Sequence, residues 1–354
     1  MILVDKLFTL KTFYKVPLLI TVASLFWLLV ACSATHQTPV LLKGTTMGTY
    51  WQASIAAKMN EAEKAALQAK IEADLKAVNQ SMSTYIPDSE LELLNHNSQK
   101  APIPISPELR KVIAKGLEIS KQSDGYYDIT VAPLVDLWGF GPKKVTSAPS
   151  AEEVAVAKSR VGYQKITLSN EGIQKSQPDI EIDLSSIAKG YGVDVVAEQI
   201  EKSGYQNYLV DIGGEVRAGG SKFGQPWRVG IELPEEVSSH SIQSVIALKD
   251  ENIALATSGN YRNYADYGSV HAVHTINPKT GMTEQSALLS VTVVAQDCMT
   301  ADAYATALMA LGDKKAENFA NQLGLSALFI TAVKDGKFQV TTTDAYQKSF
   351  GGEK

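Results

Sequence analysis

Asp183-Leu184-Ser185-Ser186-Ile187-Ala188-Lys189-Gly190-Tyr191-Gly192 is the stretch on which the fold turns. Residues 179–184 read as a short strand. A helix is expected from about 186 to 203, with Gly204 just past its end. A strand passing into a helix leaves free backbone N–H groups and a partial positive charge at the junction, which suits a phosphate. Lys189 adds a mobile cation one turn in. Asp183 and Ser186 bring hard oxygens of the kind Mg²⁺ takes alongside phosphate and water. The pattern GxxxxGK[ST] is absent, so this is not a Walker A loop. A capped structural helix with a surface lysine would carry the same residues.

Outward from this junction, strand-like and helix-like segments alternate. In residues 60–78, Leu67, Ile71, Leu75 and Val78 recur at helical spacing. Ser106 can cap a second helix, Pro107 suits its first position, and Gly125 lies past its end. A third helix starts at Ser150, where Glu153 completes a capping box. Strands are expected at 208–212, 227–232, 244–249 and 288–295, and helices at 300–311 and 314–323. A last hairpin turns at Asp335-Gly336. Several strand pairs look antiparallel. The expected class is α+β or mixed α/β, with mixed, largely antiparallel sheets packed with helices, rather than a doubly wound parallel sheet.

The N-terminus reads as an export signal. Lys6, Lys11 and Lys15 give a basic start, and residues 16–31 are almost wholly apolar. That stretch is short for a membrane span of about 20 residues. It ends at Leu29-Val30-Ala31-Cys32, which resembles the bacterial lipobox, where the Cys is acylated after cleavage. The expectation is a signal peptide at 1–31, a lipid on Cys32, a tether at 32–43 and one domain at 44–350. The protein would sit lipid-anchored on the periplasmic side of the cell envelope. An uncleaved anchor helix is the alternative. Net charge is −5, and residues 1–31 contribute +2 through three Lys and Asp5, so their removal leaves −7. With no basic patch either, nucleic acid is not an expected partner. With Cys32 lipidated, Cys298 is the one thiol left, and it reads as buried and inert.

Four segments are unlike ordinary core or surface. Asp183 to Gly192 is one. Gly44-Thr45-Thr46-Met47-Gly48-Thr49 reads as a strand meeting a ligand closely, or as an edge strand. In Asp124-Gly125-Tyr126-Tyr127-Asp128, the tyrosines read as a sandwich for a flat ring whose polar edge a carboxylate fixes. Two interface-packing tyrosines with a turn aspartate are the plainer reading. Asp302 and Thr306 lie four apart on a helix, so they share a face that could complete a metal shell. Asp302 as a helix-dipole partner is the plainer reading. His274 precedes the Asn277-Pro278 turn; a lone His is more often structural than catalytic, but this one is the candidate base, with Asp183 or a metal-bound water as alternatives.

Together these segments resemble the ApbE-type flavin transferase family, the FAD:protein FMN transferases. The carrying matches are Met47-Gly48-Thr49, Ser83-Thr84-Tyr85, Asp124-Gly125-Tyr126-Tyr127-Asp128 and Leu137-Trp138-Gly139-Phe140-Gly141. They continue with Asp183 to Tyr191, Thr257-Ser258-Gly259, His274-Thr275-Ile276-Asn277-Pro278-Lys279-Thr280-Gly281 and Asp302-Ala303-Tyr304-Ala305-Thr306. The order of eight short motifs is jointly specific.

The resemblance implies that residues 44–350 form a flavin transferase domain. Its reaction would move the FMN half of FAD onto a Thr hydroxyl of an acceptor protein, with Mg²⁺, releasing AMP. It implies FAD contacts at Met47, Tyr85, Tyr126, Tyr127, Asp128, Asp183, Lys189 and the backbone near Ile276. It places metal ligands at Ser186, Asp302, Ala305 and Thr306. Implied acceptors are flavin-carrying subunits of sodium-pumping or Rnf-type electron-transfer complexes. Two departures stand out: Ala305 replaces the Asp of some relatives, and Asn277 replaces the usual Asp before Pro. The competing functions are FAD pyrophosphatase, giving FMN and AMP, and a non-catalytic FAD-binding lipoprotein.

Overall fold

Eight strands make up the main sheet; the first three alternate buried and more exposed residues, as half-buried strands do, while three later ones carry continuous buried runs. The eight are β1 (Val40–Thr46), β2 (Thr49–Ile55), β3 (Tyr208–Ile212), β4 (Glu215–Gly219), β5 (Ile253–Gly259), β6 (Leu288–Ala295), β7 (Ser326–Ala332) and β8 (Phe338–Thr342). They form one sheet whose spatial order follows the chain, every neighbouring pair antiparallel. This is a computed structural model, which describes residues 37–232, 242–248, 252–260, 264–284, 286–333 and 337–351.

Nine helices lie among the described residues: α1 (Glu61–Met82), α2 (Glu90–His96), α3 (Pro107–Gln122), α4 (Ala132–Leu137), α5 (Ala151–Ser159), α6 (Ala188–Lys202), α7 (Cys298–Leu311), α8 (Ala316–Gln322) and α9 (Asp344–Phe350). On one face of the sheet, Leu67, Ile71 and Leu75 of α1 and Val193, Val196 and Ile200 of α6 meet Trp51, Ala53, Tyr208 and Val210. Further along that face, α7 packs on Val291 and Val293. The other face is covered by the hairpin Trp227–Glu232/Ile242–Leu248 and by Tyr346 of α9. Helix α7 is buried almost all round, with only Thr300 and Thr306 of its residues less than buried. A helix apolar on every side belongs inside, and this one carries Asp302 into the interior.

The capped helices begin where their signals lie. Ser106 accepts a hydrogen bond from Leu109 N–H, and Ser150 and Glu153 form a reciprocal capping box. Asn60 does the same for α1, which runs on to Met82 rather than stopping at 78.

Four expectations need correction. Residues 40–43 of the stretch read as tether belong to β1. The Gly44–Thr49 motif is not a strand but a strand end and a hairpin tip. Met47 and Gly48 have φ of 49° and 73° between the paired Thr46 and Thr49, the pattern of a type I′ turn. Residues 179–184 form no ladder. Their backbone is satisfied instead by Asn95, whose Oδ1 accepts from Ile182 N–H and whose amide donates to Ile182 C=O, and by Asp183 N–H donating to Ile129 C=O at 2.8 Å. Helix α6 begins at Ala188, because Asp183 Oδ1 takes the N–H and hydroxyl of Ser185 into a turn first. The signal peptide, Cys32 and the Asp335-Gly336 turn lie outside the described residues, although the strands flanking that turn pair as expected.

Candidate active site

Helices α6 and α7 touch at Gly190. A Cβ there would lie 2.3 Å from the carbonyl oxygen of Cys298 and 2.8 Å from Asp302 Cβ, so only glycine permits this approach. The contact is fixed by polar bonds. Gly190 N–H donates to Asp302 Oδ2 at 2.9 Å. Asp194, also on α6, accepts from the N–H groups of Cys298 and Met299 at 2.9 Å each, satisfying the start of α7. Arg217 donates to Asp194 from behind.

Above this crossing opens a cleft of about 1450 Å³. Lys189, Glu215 and Asp302 stand on its wall. Lys189 Nζ lies 2.6 Å from Glu215 Oε1. Burial alone would lower the Lys189 pKa, but Glu215 and Asp302 outweigh it and hold the ammonium charged. Burial pushes Asp302 up to about 7 against the pull of Lys189, and raises Glu215 as well. Glu215 Oε2 is buried with no hydrogen-bond partner among the described residues. One cation thus faces two carboxylates, and a buried carboxylate oxygen is left unsatisfied. This set wants a further cation or donor.

The residues singled out in the sequence converge here. Met47, Tyr85, Tyr126, Tyr127, Asp128, Asp183, Ser186 and Lys189 line the cleft, as do His274, Ile276, Asp302 and Thr306. They come from the β1–β2 turn, the loops after α1, α3 and residue 179, the first turn of α6, the turn after residue 273, and α7. Ser186 Oγ donates to Tyr127 Oη at 3.0 Å, and Thr306 Oγ1 is 3.1 Å from Ser258 Oγ. His274 is edge-on to Phe140, their ring centroids 6.4 Å apart.

Some residues do not behave as expected. Tyr127 is buried in the core with its hydroxyl bonded, so it does not sandwich a ring against Tyr126. Tyr126 instead lies against two ammonium groups, Lys315 and Lys279, at 4.6 and 4.9 Å from its centroid. Asp128 is largely committed to its loop, accepting from Thr130 N–H and hydroxyl and from Tyr163 N–H. Ala305, which could offer a metal only its backbone oxygen, is fully buried and does not line the cleft. Asn277 keeps the turn closed, its Oδ1 accepting from Lys279 N–H at 3.0 Å while its amide donates to Glu284. Cys298 is fully buried, and burial raises its thiol pKa well above the usual range.

Glu215 was not singled out from the sequence. Its signal was a carboxylate directly after Gly213-Gly214, at the buried start of a strand.

The chain is similar to several known proteins. The ApbE family profile matches residues 47–329. A Haemophilus influenzae protein named FAD:protein FMN transferase is 40% identical, covering 90% of this chain and 94% of its own. An Escherichia coli protein of the same name is 38% identical, covering 89% and 90%. The structure of the flavin transferase ApbE from Vibrio cholerae superposes with a TM-score of 0.79 at 36% identity, over 88% of this chain and 99% of its own. The apo flavinyl transferase ApbE from Pseudomonas stutzeri gives 0.79 at 33%, over 88% and 97%. With the cleft-lining motifs inside the matched residues, the chain belongs to the ApbE family.

Proposed function

We propose that this protein is a Mg²⁺-dependent FAD:protein FMN transferase that moves FMN from FAD to a threonine hydroxyl of an acceptor protein and releases AMP. The observation that carries the reading is the convergence on one cleft of Lys189, Glu215, Asp302, Ser186 and Thr306 with the residues the family resemblance assigns to FAD.

The donor set fits Mg²⁺. No three His, Cys, Asp or Glu side chains form a cage among the described residues. Mg²⁺ seldom uses one, taking one or two carboxylates plus water and substrate phosphate. Asp302, Thr306 and Ser186 would hold it, against the excess negative charge and the unsatisfied oxygen of Glu215. Bound there, it supplies Lewis-acid polarisation of the pyrophosphate.

The chain's own groups supply positioning. Lys189 draws the pyrophosphate to the cleft wall, and Glu215 and Asp302 hold its ammonium charged. The acceptor hydroxyl attacks the FMN-side phosphorus in line. An O–P bond forms to threonine, the P–O bond to AMP breaks, and AMP leaves carrying the bridging oxygen. His274 is the candidate that takes the threonine proton, with Asp183 as the alternative. Phosphoryl chemistry of this kind depends chiefly on placement and charge.

The proposed setting is the periplasmic face of the envelope, with a lipid on Cys32 keeping the enzyme beside membrane redox complexes that carry flavin. The test combines the protein, FAD, Mg²⁺ and an FMN-free flavin domain of such a complex. Acceptor fluorescence on a denaturing gel is expected, and Asp302→Ala abolishes it. Transfer by Asp302→Ala without added metal would refute the metal assignment. Release of FMN and AMP without labelled acceptor would favour hydrolysis.

A further inference from the structure

The strand Trp227–Glu232 pairs with Ile242–Leu248 on one side and, among the described residues, with no strand on the other. Arg228, Val229, Gly230 and Ile231 all line the cleft. Successive side chains of a strand point to opposite faces. Here Trp227 and Ile231 are buried against the main sheet, while Arg228 and Gly230 are exposed. Side chains alone therefore cannot bring four consecutive residues to one cavity. The unpaired backbone edge of the strand does so.

An open edge is a row of free N–H and C=O groups, a template for another strand. Two further observations point to an occupant. The cleft, at about 1450 Å³, exceeds the roughly 300–1,000 Å³ of drug-sized ligand sites. Tyr50 and Tyr264, 48% and 55% exposed, line the same cleft, and tyrosine is enriched where proteins meet.

We propose that residues 228–231 are the docking edge for the acceptor, whose threonine-bearing segment adds to them as an extended strand. The inference rests on the transferase reading, which requires a protein segment to enter this cleft. Main-chain pairing fixes register, and register decides which side chain of the segment reaches the phosphorus.

The test is hydrogen exchange on the full chain with FAD and Mg²⁺. The probe is an FMN-free flavin domain of a sodium-pumping complex whose acceptor Thr is replaced by Val, so that it binds without reacting. Alternate amides within 228–231 are expected to slow by about tenfold or more. A peptide copied from the segment should inhibit transfer to the intact domain, and N-methylation of its alternate amides should remove the inhibition. Unchanged exchange at 228–231, while the Thr-bearing domain is still flavinylated, overturns the docking edge and leaves the transferase reading standing. No flavinylation of that domain, with FAD recovered intact, overturns both.

Discussion

Replacing Gly190 by alanine should separate the spacing of the site from the stability of the fold. The new Cβ would stand 2.3 Å from the Cys298 carbonyl oxygen, where ordinary contact begins at 3.4 Å. The obstacle is backbone, so no rotamer change relieves it, and α6 and α7 must part by roughly 1 Å in a close-packed interior. Overpacking of this kind costs about 1–3 kcal/mol of stability. The same movement breaks the 2.9 Å bond from Gly190 N–H to Asp302 and carries Asp302 away from Lys189. A misplacement of about 1 Å costs roughly 100-fold in rate, or about 2.7 kcal/mol of barrier. The assay is steady-state FMN transfer at saturating FAD and Mg²⁺, beside a thermal melt of the same sample. The expected result is a folded protein melting some ~2–10 °C lower, with kcat down by about two orders of magnitude. A kcat within twofold of the parent would refute the claim that this helix contact sets the site.

Other consequences follow from the same geometry. Lys189→Met leaves Glu215 buried and unpaired, which typically costs about 3–5 kcal/mol. Because the folded state then holds the Glu215 proton more tightly than the unfolded chain, stability falls as pH rises through the raised folded pKa. The deficit in melting temperature should therefore be larger at pH 8 than at pH 5, and an equal deficit at both would contradict the pairing. Cys298 should resist alkylation in the native protein at pH 8 and react fully in denaturant; rapid native labelling would show that the burial is wrong. Asn277→Asp keeps the Lys279 bond but turns the amide–Glu284 contact at 3.2 Å into two facing carboxylates, so it should lower the melting temperature. Adding Glu284→Gln should restore it.

Much of this arrangement could be read from the chain because the signals were local. Ser106-Pro107, Ser150 with Glu153 and the alternation in 208–212 each specify an element within a few residues. What was missed depended on distant partners. The path of residues 179–184 is set by Asn95, 87 residues away, whose side chain takes the place of a neighbouring strand. Val40 to Lys43 look like tether until β2 is there to pair with them. Tyr126 and Tyr127 are adjacent in sequence, yet one packs in the core and the other meets Lys279 and Lys315, which arrive from other loops. Glu215 became part of the site only once Lys189 lay against it. The family motifs located the cleft residues well, Ala305 excepted, because such motifs record a shared pocket rather than a local conformation.

The central claim is that this cleft moves FMN from FAD onto an acceptor threonine. Intact-mass and peptide mass spectrometry of an FMN-free acceptor domain, incubated with the enzyme, FAD and Mg²⁺, tests it most directly. The account predicts a mass gain of one FMN less water, located on a threonine and absent with Asp302→Ala. An acceptor of unchanged mass, with FAD either intact or fully hydrolysed, would contradict it.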